Sequence, residues 1–520
     1  MSRKLAWLLI LVLLLGFWEI ALRHLTITPP VYEDEPWLAS SGWKLARDGV
    51  FGSDLFAGLN RMETRYYGYM PLHPLLLAGV FRGAGVGLFQ ARFETVCLGL
   101  LALALAVSLA ARLSRRQEVG LLAGLLLLTV RQAGRTPSQI TGIVLLDASR
   151  IARYDVLVPV FGLASLHAYL SARRSRAGYF LAGLLAGLAG LAHLYGLFYV
   201  ALLALLVLWN ERGKARQRLG LLLLGAMLPW LPYGLYVLAD LPAWQAQTAG
   251  YADRFGLLDV RWYLDNLRRE PRRYGPGLEE SGIPLFLRPG LWALALLPFL
   301  LLALWRRALR GDEMARVLVL PATGLPVLFA LFITLKLSNY LVAIIPLWAI
   351  AGAWGSSIVW RYLHRPPRLR WARLALGALL LAILVEGASR WAALEASAAQ
   401  YTPQPVFAAW LRDHLPPPGT RVLGLHGYWF GLEAYDYRSL LVPVAQSQAP
   451  GMVTLAQALD RIGPQALLID HRFRAFLDDN PAAAAQFEAW LARRRATMSA
   501  RIDDNTYGPV EIYLIPPTPP

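Results

Sequence analysis

The chain has 520 residues, of which 56% are hydrophobic and only 16% charged, with a mean hydropathy of +0.43. These values lie outside the soluble range and fit a polytopic membrane protein. A net charge of +17 could suggest nucleic acid, but Lys and Arg occur in short clusters between apolar runs, the pattern of membrane-protein loops, so no nucleic-acid partner is expected. The lone cysteine, Cys97, sits in an apolar run and excludes both an intramolecular disulfide and a thiolate metal cluster.

Taken in order, the chain opens with Arg3 and Lys4 ahead of an apolar segment, Leu5 to Leu22, whose only charge is Glu19. That length matches the roughly 20 residues a bilayer crossing needs. No small-residue cleavage site follows, so the segment reads as an uncleaved signal anchor. Further spans are expected near 91–111, 118–131, 155–172, 178–192, 194–210, 219–239, 289–305, 317–335, 340–359 and 372–390. With the first span at 5–23 this makes about eleven, within a range of about 10–13. The run 72–81 is too short to cross, contains Pro74 and ends in a glycine-rich patch, so it is expected to lie at the interface or to re-enter. Glycines 183, 187 and 190, at small-residue spacing, predict close helix packing.

Placing Arg3 and Lys4 in the cytoplasm gives an orientation test. Alternate connections, at 112–116, 173–176, 212–218, 306–316 and 361–373, then carry the arginines, and with the N-terminus they hold 21 Lys and Arg. The opposite side receives the triplet Glu33-Asp34-Glu35, the segment Asp147 to Asp155, a long loop from about 240 to 288, the connection Leu335 to Tyr340, and everything after about 389. The long loop mixes aromatics with arginines, among them Trp244, Tyr251, Arg254, Trp262, Arg273 and Tyr274. That composition suits saccharide stacking, anionic headgroups or an amphipathic interfacial helix.

Residues 391–520 read differently. Prolines cluster at 416–418, strand-like runs appear at 421–425, 466–469 and 510–515, and helix-like pieces at 454–462 and 482–496. A small extracytoplasmic α/β domain is expected after a membrane domain of 1–390, whose first outer loop spans 24–90. The aromatic patch Tyr428, Trp429, Phe430, Tyr435 and Tyr437 suits a sugar surface or a core, and core is the reading adopted. No phosphate loop or catalytic triad is visible there.

The outward charges form one set. Asp155 opens a span, where a helix N-terminus favours an acid. Arg150 and Arg153 break the local positive-inside trend, and guanidinium groups at a membrane surface suit phosphate. His193 falls between two apolar runs on the same side. Lys336 occupies an outer connection, where a cation either snorkels or binds an anion. Carboxylates, cations and a histidine on one membrane face suit a lipid-phosphate substrate and a hydroxyl or amine to be deprotonated.

In order and side, four short elements resemble the glycosyltransferase C superfamily of membrane enzymes, in the branch of protein O-mannosyltransferases and the lipid A aminoarabinose transferase. They are Asp34-Glu35 after the first span, Tyr69-Met70-Pro71-Leu72-His73-Pro74-Leu75, Arg153-Tyr154-Asp155, and Lys336 through Tyr340 with Pro346. The resemblance covers residues 1–390. It implies a multi-pass plasma (inner) membrane enzyme that moves a hexosyl or pentosyl group from a polyprenyl-phosphate donor to an extracytoplasmic acceptor: a glycolipid, polysaccharide or protein. Inversion at the anomeric carbon would use Asp34 as general base, with no second acid because the phosphate leaves as a stabilised anion. Glu35 would orient the acceptor or a neighbouring cation. Arg150, Arg153 and Lys336 would hold the leaving phosphate, and Asp155 would orient an arginine or touch the sugar. Tyr69, Tyr340 and His193 complete the donor site. Aminoarabinose-type relatives carry a lysine before the proline element, where this chain has Tyr69-Met70, so His73 is the candidate to replace it. No cofactor is required and no metal is predicted, although a metal-dependent oligosaccharyltransferase-like enzyme is one alternative. The other is a lipid or solute transporter or flippase, which would bury more ionisable groups mid-membrane than these spans contain.

Overall fold

The computed structural model describes residues 2–131, 139–172, 175–211, 213–252, 254–274, 289–364, 369–448 and 453–516. In a medium without water the backbone must satisfy itself, and each apolar run accordingly forms a helix. The bundle comprises α1 (Arg3–Leu22), α4 (Leu88–Ser114), α5 (Gln117–Leu127), α7 (Leu157–Ala172), α8 (Arg176–Ala192), α9 (Phe198–Asn210), α10 (Ala215–Met227), α11 (Trp230–Leu238), α15 (Pro289–Leu309), α16 (Glu313–Phe332), α17 (Ile345–His364) and α18 (Arg370–Ala398). Between them lie α2 (Asp34–Asp48), α3 (Leu72–Ala84), α6 (Val144–Ser149), α12 (Leu241–Ala252), α13 (Val260–Arg269) and α14 (Pro271–Tyr274).

Each expected span falls on one of these helices, or for 219–239 on two, α10 and α11, but among the described residues only α1, α4, α16 and α18 are each long and apolar enough to cross a bilayer. A fifth forms if α10 and α11, bent by 50° at Pro229, act as one. Three of the expected spans' connections share one kind of break. Arg153, His193 and Leu337 are extended residues, each followed by a 3-10 turn before the next helix resumes. These three breaks carry or adjoin most of the candidate site residues.

Close helix packing occurs where the glycines foretell it. A Cβ on Gly183 or Gly187 would collide with the backbone of α10 at Leu222 and Ala226, and one on Gly225 would strike Phe180 of α8. At one end of the bundle the loop arginines engage each other's helices: Arg112 donates to the His167 carbonyl at 3.0 Å, Arg116 to Ser357 at 3.3 Å and Arg316 to Asn210 at 3.0 Å.

After α18 come α19 (Gln404–Asp413) and an α/β unit with β1 (Arg421–Gly424), β2 (Asp436–Ser439), α20 (Leu441–Gln448), α21 (Leu455–Ile462), β3 (Ala466–Asp470), α22 (His471–Asp479), α23 (Pro481–Arg493), β4 (Thr497–Asp504) and β5 (Gly508–Leu514). The sheet order is β2-β1-β3-β5-β4; β1 pairs in parallel with β2 and β3, and β5 runs antiparallel to β3 and β4. All five residues of β3 are buried, as befits its central place. The aromatic patch is core: Tyr428, Trp429, Phe430, Tyr435 and Tyr437 are all buried.

The apolar core of this unit continues into the first loop. Leu38, Phe56, Tyr66, Leu77 and Phe81 pack in the same cluster as Phe407, Leu423 and Phe430. Gly42 lets α2 approach α3, where a Cβ would lie 2.9 Å from the Pro74 carbonyl. The loop is thus folded between the bundle and the sheet.

Candidate active site

Asp34 and Glu35 occupy the first turn of α2. One hundred degrees of helix rotation sends them to different neighbours. Glu35 is fully buried against Arg92 of α4 in a two-pronged pair of 2.7 and 2.8 Å, and it also accepts the amides of Tyr32 at 2.7 Å and Ala152 at 2.8 Å. Arg92 spends its remaining donors on the carbonyls of Leu25, Pro29 and Pro30, at 2.7 to 3.1 Å. Glu35 is thus paired with a neighbouring cation at full burial.

Arg150 behaves like Arg92, against expectation. Its guanidinium donates to the carbonyls of Ile20, Ala21 and Thr28 and to the Thr28 hydroxyl, between 2.6 and 3.2 Å, and the residue is fully buried. The last carbonyls of α1 lack helical partners, and a cation there answers both the orphan acceptors and the dipole. Its Nη donors are thus taken up by α1 and Thr28, while Nε is buried without a partner among the described residues. Together Arg92 and Arg150 clamp residues 20–30 and so fix where α2 begins.

Asp34 keeps 23% of its side chain exposed. Its Oδ1 accepts from the Tyr69 hydroxyl at 2.6 Å, and Oδ2 lies 3.3 Å from Arg153 Nη2. Burial, reinforced by the Asp34 carboxylate, holds the Tyr69 phenol well above its ordinary value, so it remains a donor. Arg153 is nearly fully buried between the rings of Tyr32 and Tyr154, 5.0 and 5.1 Å from their centroids, with Asp155 at 3.1 Å on its other side. Its Nη1 finds no hydrogen-bond acceptor among the described residues. A buried guanidinium with an unused N–H is ready for an incoming oxyanion.

Asp155 accepts from Tyr195 at 3.1 Å. The His193 ring stacks among Tyr154, Tyr195 and Tyr340 at 5.0, 4.0 and 5.6 Å, forming an aromatic wall. Tyr340 in turn lies 5.9 Å beneath Arg273, which pairs with Glu270 at 2.8 Å, and Glu270 holds Lys336 at 2.8 Å. All four widely spaced elements thus join one continuous network, although Lys336 is occupied by Glu270 and by the Ala330 carbonyl at 3.1 Å. His73 is buried and directed at Glu94, 3.2 Å away, and its Nδ1 has no partner among the described residues.

Arg92, Glu270 and the bonding role of Tyr195 escape sequence reading. Arg92 had a visible signal, a charge inside an expected span. Among the described residues no three His, Cys, Asp or Glu side chains cluster as a metal cage would.

No family model and no curated protein matches the chain. Solved structures do match in fold. ArnT from Cupriavidus metallidurans bound to undecaprenyl phosphate aligns over 98% of both chains with a TM-score of 0.59 at 16% identity. The Archaeoglobus fulgidus oligosaccharyltransferase in its apo form aligns over 89% of this chain and 69% of its own, with a TM-score of 0.54 at 13% identity. The same organism's AglB in complex with an inhibitory peptide and a dolichol-phosphate gives 0.53 at 13% identity, over 90% and 70% of the two chains. From the first helix to the last strand, the chain shares the fold of these ArnT and oligosaccharyltransferase structures.

Proposed function

We propose that this chain is a membrane glycosyltransferase that moves a sugar from a polyprenyl-phosphate donor to an acceptor at the outer face of the membrane. The observation that carries the reading is the pairing of a partly exposed carboxylate, Asp34, with the buried Arg153 whose Nη1 is unpartnered. The lipid phosphates bound by the two structural neighbours favour the same donor class.

In this mechanism the acceptor hydroxyl or amine approaches Asp34, which takes its proton as the bond to the anomeric carbon forms. The carbon–phosphate-oxygen bond breaks on the opposite face, giving inversion, and the electrons leave on the lipid phosphate. Arg153 neutralises that oxyanion, held rigid by Asp155 and the flanking tyrosines. Tyr69 orients Asp34. Lys336 and Arg273, balanced by Glu270, border the donor side. Membrane sidedness, with the N-terminus cytoplasmic and residues 391–520 outside, belongs to the same proposal.

Transfer of radiolabelled sugar from a panel of polyprenyl-phosphate sugars, by wild type and Asp34→Asn, tests it. Equal rates for the two proteins remove Asp34 as base.

A further inference from the structure

Where the first loop meets the C-terminal sheet, a cleft of about 330 Å³ stays open. Trp43 and Lys44 of α2 and Asp54 form one wall; Trp429, Glu433 and Tyr435 form the other. Trp43 lies nine residues from Asp34, about 13 Å along the helix and half a turn round it. The cleft is therefore separate from the Asp34 pocket.

Its chemistry is specific. Cations on this wall are already answered: Lys44 pairs with Asp54, and Arg47 reaches Asp54 at 2.7 Å and Asp48 at 2.6 Å. On the sheet side, Asp436 is matched by Arg421 at 2.6 Å and Arg438 at 3.1 Å. Balanced charges of this kind disfavour an anion yet present paired donors and acceptors to hydroxyl groups. Trp43 Nε1–H is buried with no acceptor among the described residues, a donor waiting for a partner. The half-buried Trp43 indole offers a ring face to the C–H face of a pyranose, whose other edge is polar. The volume is at the small end for a ligand site, which restricts the occupant to a short stretch of sugar.

We propose that this cleft binds a neutral saccharide. Its role, which rests on the transfer reading, is to hold the glycan part of the acceptor away from the reacting group; the binding itself does not depend on that reading.

The test uses the full chain in nanodiscs carrying Asp34→Asn, so that no turnover occurs. Neutral gluco-, manno- and galacto-trisaccharides and an anionic uronic acid trimer are titrated by saturation-transfer NMR. At least one neutral trisaccharide is expected to bind more tightly than the anionic trimer; Trp43→Phe is expected to weaken it about tenfold by removing one hydrogen bond, and Glu433→Gln to weaken it several-fold by exchanging a carboxylate acceptor for a weaker amide one. Both substitutions are conservative, and unchanged melting temperatures verify the fold. In the otherwise native enzyme, the same two changes are expected to raise the acceptor KM and leave kcat alone. Failure of every neutral probe, tighter binding of the anionic trimer, or binding indifferent to both substitutions overturns the proposal. Retained transfer by Asp34→Asn overturns the transfer reading instead, and leaves the cleft standing.

Discussion

The Glu35–Arg92 clamp and the Asp34–Arg153 pocket are built from the same residue types, one helix residue apart, and differ in completeness. In the clamp every carboxylate oxygen and most guanidinium donors are matched, at full burial. In the pocket the carboxylate is partly exposed and a buried guanidinium nitrogen goes unused. Saturated networks hold a fold, whereas unsaturated ones wait for a ligand. The sharpest way to break this contrast is to remove each acid in turn. Asp34→Asn is expected to lower the transfer rate by about 10²–10⁴ while the melting temperature in detergent stays put.

Glu35→Ala should do the reverse at the level of the fold. Leaving Arg92 buried and unpaired costs about 3–5 kcal/mol, read as lost melting temperature and yield. Removing both charges with Glu35→Leu and Arg92→Met should be milder than the sum of the single changes. Recovery will be partial, because Arg92 also serves the carbonyls of Leu25, Pro29 and Pro30. A double variant as stable as wild type would show that the clamp is dispensable.

The contrast also explains what could be read from the chain beforehand. Apolar runs and arginine alternation located the helices, because burial in lipid leaves a period and a length in the sequence. Glu35 and Asp34 are indistinguishable there, since which acid meets Arg92 depends on the angle at which α2 leaves the clamp. Arg150 shows a related limit of sequence: a cation beside a membrane looks like a phosphate ligand there, and its bonds to the last carbonyls of α1 leave no trace in the pattern. In the C-terminal unit, β3 and β5 were legible as apolar runs. β2, Asp436 to Ser439, alternates too briefly, and β4 is largely exposed with charged ends, so both depend on neighbouring strands.

The platform beneath the pocket offers a pH test. His426 sits 6.1 Å from Trp37 and 6.3 Å from Phe56, joining the loop to the C-terminal unit. Burial, with help from Arg472, pushes its imidazole down to about 4. Between about pH 6.5 and 4 the unfolded chain binds a proton that the folded chain refuses. Its stabilising share is therefore present above about pH 6.5 and lost as pH falls, by on the order of 2–3 kcal/mol. Thermal melts of wild type and His426→Gln should diverge across that window and run parallel above it. Parallel melts throughout would remove His426 from the acid response.

The smallest expected effect separates positioning from proton transfer. Tyr69→Phe removes only the O–H that Asp34 Oδ1 accepts, and keeps the ring against Trp37 at 6.3 Å and Tyr154 at 5.7 Å. One hydrogen bond to a carboxylate is worth about 1.5–3 kcal/mol, but water at the partly exposed Asp34 replaces some of it. A fall in rate of about three- to tenfold is therefore expected, with donor KM and melting temperature unchanged. A Tyr69→Phe enzyme as impaired as Asp34→Asn would put the phenol itself in the path of the proton. An enzyme with wild-type rate would mean that Arg153 and the clamp alone aim the base.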